Sequence, residues 1–229
     1  MNGKRNMLTV GLILVVATIA AADPVGFQIS GMAVAPFAED PDSLGDVADR
    51  YRDTDSERMF SGVEMELWIG SFGFGGRYIA RFDGFDITDP EVREASGSDI
   101  DWWLDQKSDL FLAYHLFGGG ALVDPYVRYG IGFAAQIDLD DGAYYDDAAD
   151  AWTTERPERY DGPDSIRTAS LYQYLGVGVQ TNLRGLVVGV GLNYTVLNQR
   201  VYPSGSDWGL YPTERFEGRV YGGIALGGG

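Results

Sequence analysis

The chain has no cysteine and a single histidine, His115. Without cysteine there is no disulfide, no thiol nucleophile and no thiolate metal ligand, so stability must come from a packed core or a closed sheet. With one histidine, a histidine-centred catalytic site has a single candidate. Cations are scarce too: 17 Lys and Arg stand against 34 Asp and Glu, a formal net charge of −17. Nucleic acid and anionic surfaces attract basic proteins, and this balance argues against both as partners. Beyond the N-terminal segment no apolar run approaches the roughly 20 residues of a membrane-spanning helix. No helical period of about ten residues or more is present there either. If such a chain crosses a membrane, it does so with strands closed into a barrel.

What is present begins with a leader. Residues 1–22 read as a secretory signal peptide: Lys4 and Arg5 form the basic start, Met7 through Ile19 the apolar stretch, and Ala20-Ala21-Ala22 the small-residue cleavage site. Asp23 is the expected mature N-terminus, and residues 23–229 are expected to form one domain. The absence of a cysteine after the apolar stretch argues against a lipid-modified N-terminus.

The mature part alternates apolar with small or polar residues. Period-two stretches at 25–35, 60–69, 72–82, 108–117, 125–139, 168–181, 186–201 and 215–226 predict eight strands. Short Gly- or Asn-bearing connections at 70–71, 118–124 and 182–185 fit hairpin turns. The connections at 36–59, 83–107, 140–167 and 202–214 are long. Long and short connections take turns, so up-and-down pairing gathers every long loop at one end of the sheet. Structureless loops of that length are uncommon in compact soluble domains. An eight-stranded antiparallel transmembrane barrel has this layout.

Within each strand one row is apolar: Val63, Met65 and Leu67 in the second strand, Leu110, Leu112 and Tyr114 in the fourth, and Val188, Val190 and Leu192 in the seventh. The other row carries glycines, such as Gly130, Gly132, Gly176, Gly178, Gly189 and Gly191, and the charges Glu64, Glu66, Arg77, Arg81, Arg128, Glu217 and Arg219. Parity alone does not say which row is inside. Bore size does: roughly thirty bulky apolar side chains do not fit within eight strands, whereas glycine and a few long polar chains do. The apolar row is therefore expected to face lipid and the charged row to fill the lumen. Buried ions need partners. Glu64 and Glu66 are expected to meet Arg77 and Arg81 on the neighbouring strand, and Glu217 to meet Arg219 or groups on neighbouring strands.

Leader, strand count, loop alternation and charged lumen together resemble the small outer-membrane barrels of the OmpA-transmembrane, OmpX and OmpW type. The resemblance covers nearly the whole mature chain and rests on architecture, not on a signature motif. It implies an all-β up-and-down barrel in the outer membrane of a diderm bacterium, in contact with outer-membrane lipid. Such barrels usually end in an aromatic residue, and this chain departs from that by ending Ile224-Ala-Leu-Gly-Gly-Gly229. Phe27, Phe72 and Phe74 are candidates for a lower aromatic belt, and Phe82, Tyr194 and Phe216 for an upper one.

Candidate chemistry is sparse. His115 falls on the inner row near the turn end, with no serine placed for a barrel-type lipid hydrolase, and reads as a structural lumen residue. The Gly-x-Gly pairs sit inside strands and lack the strand–turn–helix setting of a nucleotide site. The long loops are acidic, from Asp40 to Asp55, Asp83 to Asp105 and Asp138 to Asp150. Asp138, Asp140 and Asp141 are weak candidates for a divalent cation, since hard cations prefer oxygen ligands. They lack the EF-hand spacing, and a solvated surface is the plainer reading. Trp102 and Trp103 are expected in a loop, where they serve a partner or a glycan, cap the barrel mouth or sit at the headgroup level. No cofactor is expected. The leading functional expectation is a non-enzymatic barrel with a side-chain-filled lumen and long acidic surface loops, in a structural or surface-interaction role, with an extracellular ligand or divalent cation as candidate partner at the loops. The alternatives are passage of small solutes or hydrophobic molecules across the membrane, a lipid-acting enzyme, and a soluble periplasmic ligand-binding barrel.

Overall fold

The computed structural model describes residues 25–37, 59–139, 143–146, 149, 151–155, 166–202 and 216–227. In chain order the elements are β1 (Val25–Phe37), β2 (Phe60–Ile69), β3 (Phe72–Asp86), α1 (Pro90–Ser96), β4 (Ile100–His115), β5 (Val123–Asp138), β6 (Tyr144–Asp146), β7 (Ala151–Thr153), β8 (Ile166–Leu183), β9 (Leu186–Tyr202) and β10 (Phe216–Gly227). All but β6 and β7 form one closed antiparallel barrel of eight strands. Each barrel strand pairs with its neighbours in sequence, and β10 closes on β1 from Phe37↔Phe216 to Gly26↔Gly227. The proposed leader, and all but the ends of the first (36–59) and fourth (202–214) long connections, lie outside the described residues. So do Asp140, Asp141 and the side chain of Asp138, the cation candidates.

The short turns fall where the sequence puts them. Leu183 and Leu186 are joined by Arg184 and Gly185, with φ of 56° and 94°. Two positive φ values in a two-residue loop are the signature of the type I′ hairpin, whose twist matches the flanking strands. The Asn182 side chain accepts from the Gly185 N–H at 2.9 Å and fixes the turn.

The second long connection differs from the expectation. It is not a loop: β3 and β4 continue as one hairpin up to Asp86↔Ile100. Asp89 then caps α1, accepting from the Glu91 N–H at 2.9 Å, with Pro90 opening the helix and Gly97, at φ 70°, ending it. The run Asp105-Gln106-Lys107 hid the strand, because three consecutive polar residues break the apolar alternation. In the folded chain Asp105 and Lys107 point into the lumen, where they find partners. Trp102 and Trp103 are therefore strand residues on opposite faces, the first exposed and the second buried. The third long connection also holds structure, the small β6–β7 hairpin. Ile87, Val92 and Ala143 form a core packed against Trp152, which ties α1 to that hairpin.

The two rows separate as bore size requires. Met65, Phe74, Leu112, Ile131, Val190 and Ile224 are each about half exposed or more on the outside. The belt candidates Phe72, Phe74, Phe82, Tyr194 and Phe216 are exposed there too. Inside, Trp68, Phe111, Tyr126, Tyr174 and Tyr221 are buried. The inward glycines explain how these rings fit a narrow bore. Gly26 and Gly119 lie against Trp68, Gly75 against Phe111, Gly130 against Tyr174, Gly178 against Tyr126 and Gly189 against Tyr221, each so close that a methyl group would overlap the ring. Gly130→Ala is accordingly expected to lower stability by about 1–3 kcal/mol through overpacking. Urea unfolding of the refolded barrel measures it, and an unchanged midpoint would show that the Tyr174 ring moves freely.

Candidate functional site

The inner row forms a ladder of charge clusters, described here from the turn end to the loop end. At the turn end, Glu66 on β2, His115 on β4 and Asp124 on β5 meet. The His115 Nε2 lies 2.6 Å from a Glu66 oxygen, and its Nδ1 bonds Asp124. Asp124 also accepts from the Phe117 N–H at 3.3 Å and from the Gln180 amide at 3.4 Å. Ionised carboxylates only accept, so with both acids ionised the imidazole donates from both nitrogens and is itself a cation. Trp68, fully buried, fills the same end of the bore. His115→Ala is expected to cost about 2 kcal/mol, because two buried acceptors lose their donor together. Equilibrium unfolding in detergent reads this, and an equal midpoint for the variant would mean that water replaces the ring without loss.

The next cluster centres on Glu64. One of its oxygens accepts from Arg128 at 2.6 Å and from Arg219 at 2.7 Å. Arg219 also donates to the Tyr126 hydroxyl. The Arg128 guanidinium lies over Phe111 at 4.7 Å and Tyr174 at 5.4 Å, and that of Arg219 over Tyr221 at 4.9 Å. Cations stacked on ring faces gain from the ring quadrupole, more so when desolvated.

Above it, Arg77 donates to Asp109 at 2.7 Å and to Glu217 at 3.3 Å. Tyr172 and Tyr174 donate to the Asp109 carboxylate at 2.7 and 2.8 Å. Glu217 further holds Lys107 at 2.7 Å and the Asn193 amide at 3.4 Å. Nearest the loops, Arg81 pairs with Asp105 at 2.9 Å, with side chains 15% and 14% exposed. Arg81 and Lys107 both stack on Phe60, at 4.3 and 4.7 Å.

All seven sequence-derived lumen residues thus line the bore, but their partners differ from those expected. Glu64 does sit beside Arg77 in the β2–β3 register. Its ion pairs nevertheless reach Arg128 on β5 and Arg219 on β10, because long side chains in a narrow bore converge across it. The arginines of β3 pair with β4 instead, where Arg77↔Asp109 and Arg81↔Asp105 are register partners. Glu217 meets Asn193 on the neighbouring β9 and, across the bore, Arg77 and Lys107, while Arg219 goes to Glu64. Asp124, which the sequence puts in the 118–124 turn, was missed, and so were Asp105, Lys107 and Asp109. Their signal was the period of two that carries the row upward from His115 through Ala113 and Phe111.

Chemically, each described lumen cation meets at least one carboxylate, and the Tyr126 and Tyr221 hydroxyls with Gln180 link the Glu64 cluster to Asp124 by hydrogen bonds. The arrangement holds the barrel wall together and fills its bore. Among the described residues no serine is bonded to His115, whose two nitrogens are both engaged by carboxylates.

No family model matches the sequence, and no curated protein matches it either. Among solved structures, the chain is similar to the N-terminal β-barrel domain of OprF from Pseudomonas aeruginosa, at 10% identity over 88% of this chain and 97% of that one, with a TM-score of 0.48. It is similar to Neisserial surface protein A (NspA), at 11% identity over 89% and 95% of the two chains, TM-score 0.42. A third likeness is to the outer membrane protein OprG from Pseudomonas aeruginosa, at 11% identity over 90% and 95%, TM-score 0.43. At these identities the likeness is one of fold, that of a small eight-stranded barrel.

Proposed function

We propose that this protein is a non-enzymatic outer-membrane barrel whose filled bore serves as an anchor and whose loop-end structure meets the outside of the cell. One observation carries the reading: the barrel is inverted, with large apolar side chains exposed around the outside and ion pairs buried within. In water that surface would far exceed the few hundred Å² of apolar patch that soluble monomers expose. In a bilayer it is the required surface. The cap of α1 and the β6–β7 hairpin, joined by their own small core, is then the part offered to the surroundings. Refolding tests the reading directly. In detergent micelles the purified chain is expected to regain strand circular dichroism and to run faster unboiled than boiled. A monodisperse folded protein in plain buffer would overturn it and turn attention to a soluble binding barrel.

A second reading, passage of small solutes, draws support from the continuous polar ladder. Several of its buried atoms, including Arg128 Nε and Nη2 and Arg77 Nη2, have no hydrogen-bond partner among the described residues, which suits water in the bore. Planar-bilayer recording separates the two. An anchor with a filled bore is expected to give no steady single-channel steps, whereas reproducible steps altered by Arg81→Ala or Glu66→Ala would establish transport.

A further inference from the structure

The connection from β4 to β5 is built unlike the turns after β2 and β8. Those close in two residues, whereas this one spans 116–122 and runs through Gly118, Gly119 and Gly120. Gly118, at φ 89°, turns the chain over the end of the bore. Gly119 is buried there against the Trp68 indole, where a Cβ would lie 2.5 Å from the ring. Its N–H donates to the Gly70 carbonyl of the β2–β3 turn at 3.2 Å, and its carbonyl accepts from the Gln180 amide of β8 at 3.4 Å. The connection thus spans the mouth. It is held at its root by Asp124, which accepts from three donors. The Phe117 N–H at 3.3 Å and the Gln180 amide at 3.4 Å make long bonds, and the His115 Nδ1 makes the third. The His115 Nε2 is bonded to Glu66 at 2.6 Å. Among the described residues these two acids are the charged groups bonded to the ring. Tyr126 of β5 lies 5.7 Å from it, centroid to centroid. Gly73 of β3 brings no side chain, β1 brings the uncharged Gln28 beside Glu66, and β8 and β10 bring Gln180 and the Tyr221 hydroxyl. Arg219 reaches this layer through the Tyr126 hydroxyl.

We infer that the 116–122 connection is a pH-sensitive lid over the turn end of the bore, latched by the His115 imidazolium through Asp124. With both acids ionised, the latch needs a proton on each ring nitrogen. When the ring loses one proton, the other stays on the Glu66 side. Glu66 has no other side-chain donor among the described residues, whereas Asp124 keeps Phe117 and Gln180. A lone pair on Nδ1 then faces the Asp124 carboxylate and repels it, and the lid is left on two long bonds. It loosens as pH rises, uncovering Trp68 and admitting water to Glu66. In acid the carboxyls take up protons, but the carbonyl oxygen of a neutral carboxyl still accepts from the imidazolium. The latch therefore fails first on the alkaline side. The lid rests on the barrel alone. On the membrane reading above, this end faces the periplasm, and the latch responds to the pH there.

His115 is the one histidine in the chain, so its ring gives a single set of nitrogen signals. Nuclear magnetic resonance of the isotope-labelled protein, refolded in micelles and titrated from mildly acidic to alkaline pH, tests the latch. Both ring nitrogens are expected to carry protons on the acidic side, and Nε2 alone on the alkaline side. The Phe117 and Gly119 amide signals should move with the same midpoint. The Gly185 amide, held by Asn182 in the β8–β9 turn, should not, and it serves as the internal reference for hydrogen exchange. Across the midpoint, exchange at Phe117 and Gly119 is expected to rise about tenfold relative to Gly185, as for a local opening. His115→Gln keeps an amide donor but cannot titrate, and it should make that ratio independent of pH. Four results would each overturn the inference: a ring that titrates while Phe117 and Gly119 stay still, a remaining proton on Nδ1, a ring that keeps both protons until the barrel unfolds, or a ratio that still climbs with pH in His115→Gln. A chain that folds in plain buffer overturns the membrane reading and not the lid, and the same titration is then run there.

Discussion

Glu64→Ala is expected to destabilise the barrel by about 3–5 kcal/mol, the cost of breaking a buried ion pair by removing one partner. The upper end of that range is expected, because Glu64 serves two cations. Arg128 and Arg219 both bond the same carboxylate oxygen, and all three side chains are 2% exposed or less. With Glu64 gone, two guanidinium groups face each other in a bore that brings no other acid to them among the described contacts. Stacking on Phe111, Tyr174 and Tyr221 softens the loss without neutralising it. Arg81→Ala provides the contrast. Its pair with Asp105 is the most exposed of the lumen pairs, and it should cost under about 1 kcal/mol, as surface-like pairs do. Urea titration of both variants in the same micelles gives the comparison. Equal losses would mean that water enters the bore as far as Glu64, and the filled-bore reading would fall with that result. The double replacement Glu64→Leu with Arg128→Leu still leaves Arg219 without its acid, so it should recover only part of the loss.

This contrast also shows what the sequence conveyed and where it went silent. The two-row pattern of strands such as β2, with Val63, Met65 and Leu67 against Glu64 and Glu66, carries the barrel, its topology and its inside-out polarity, since each follows from a period of two and the width of eight strands. The membership of the lumen was legible for the same reason. The pairing was not. Which acid meets Arg77 depends on how side chains from facing walls converge, and that is a three-dimensional property which no spacing encodes. Asp105 and Lys107 were obscured by a different physical fact. Gln106 interrupts the outer row between Ser108 and Leu104, so three consecutive polar residues read locally as loop. The aromatic filling was hidden in plain view as glycine. Gly130, Gly178 and Gly189 mark not flexible backbone but space, each reserved for a tyrosine ring from an adjacent strand.

Val190→Arg is the substitution that most sharply separates a membrane barrel from a soluble one. Val190 is about half exposed on β9, and its register partners on both sides are valines, Val179 and Val220, also exposed. In water an arginine on that surface would be close to neutral for stability, and it would relieve an apolar patch. Against hydrocarbon it must carry its charge into a medium that cannot solvate it, at a cost of about 2–4 kcal/mol near the midplane. The same change at the rim, Leu226→Arg near the turn-end terminus of β10, should cost only about 0–1 kcal/mol, since a long side chain there reaches the headgroups. Depth dependence is therefore the signature, more than the size of either value. Reversible unfolding of both variants in phospholipid vesicles measures it. A large loss at Val190 with little at Leu226 places the apolar row in lipid. Two near-zero values, or a gain in solubility without loss of fold, would mean that the outer row never meets a bilayer.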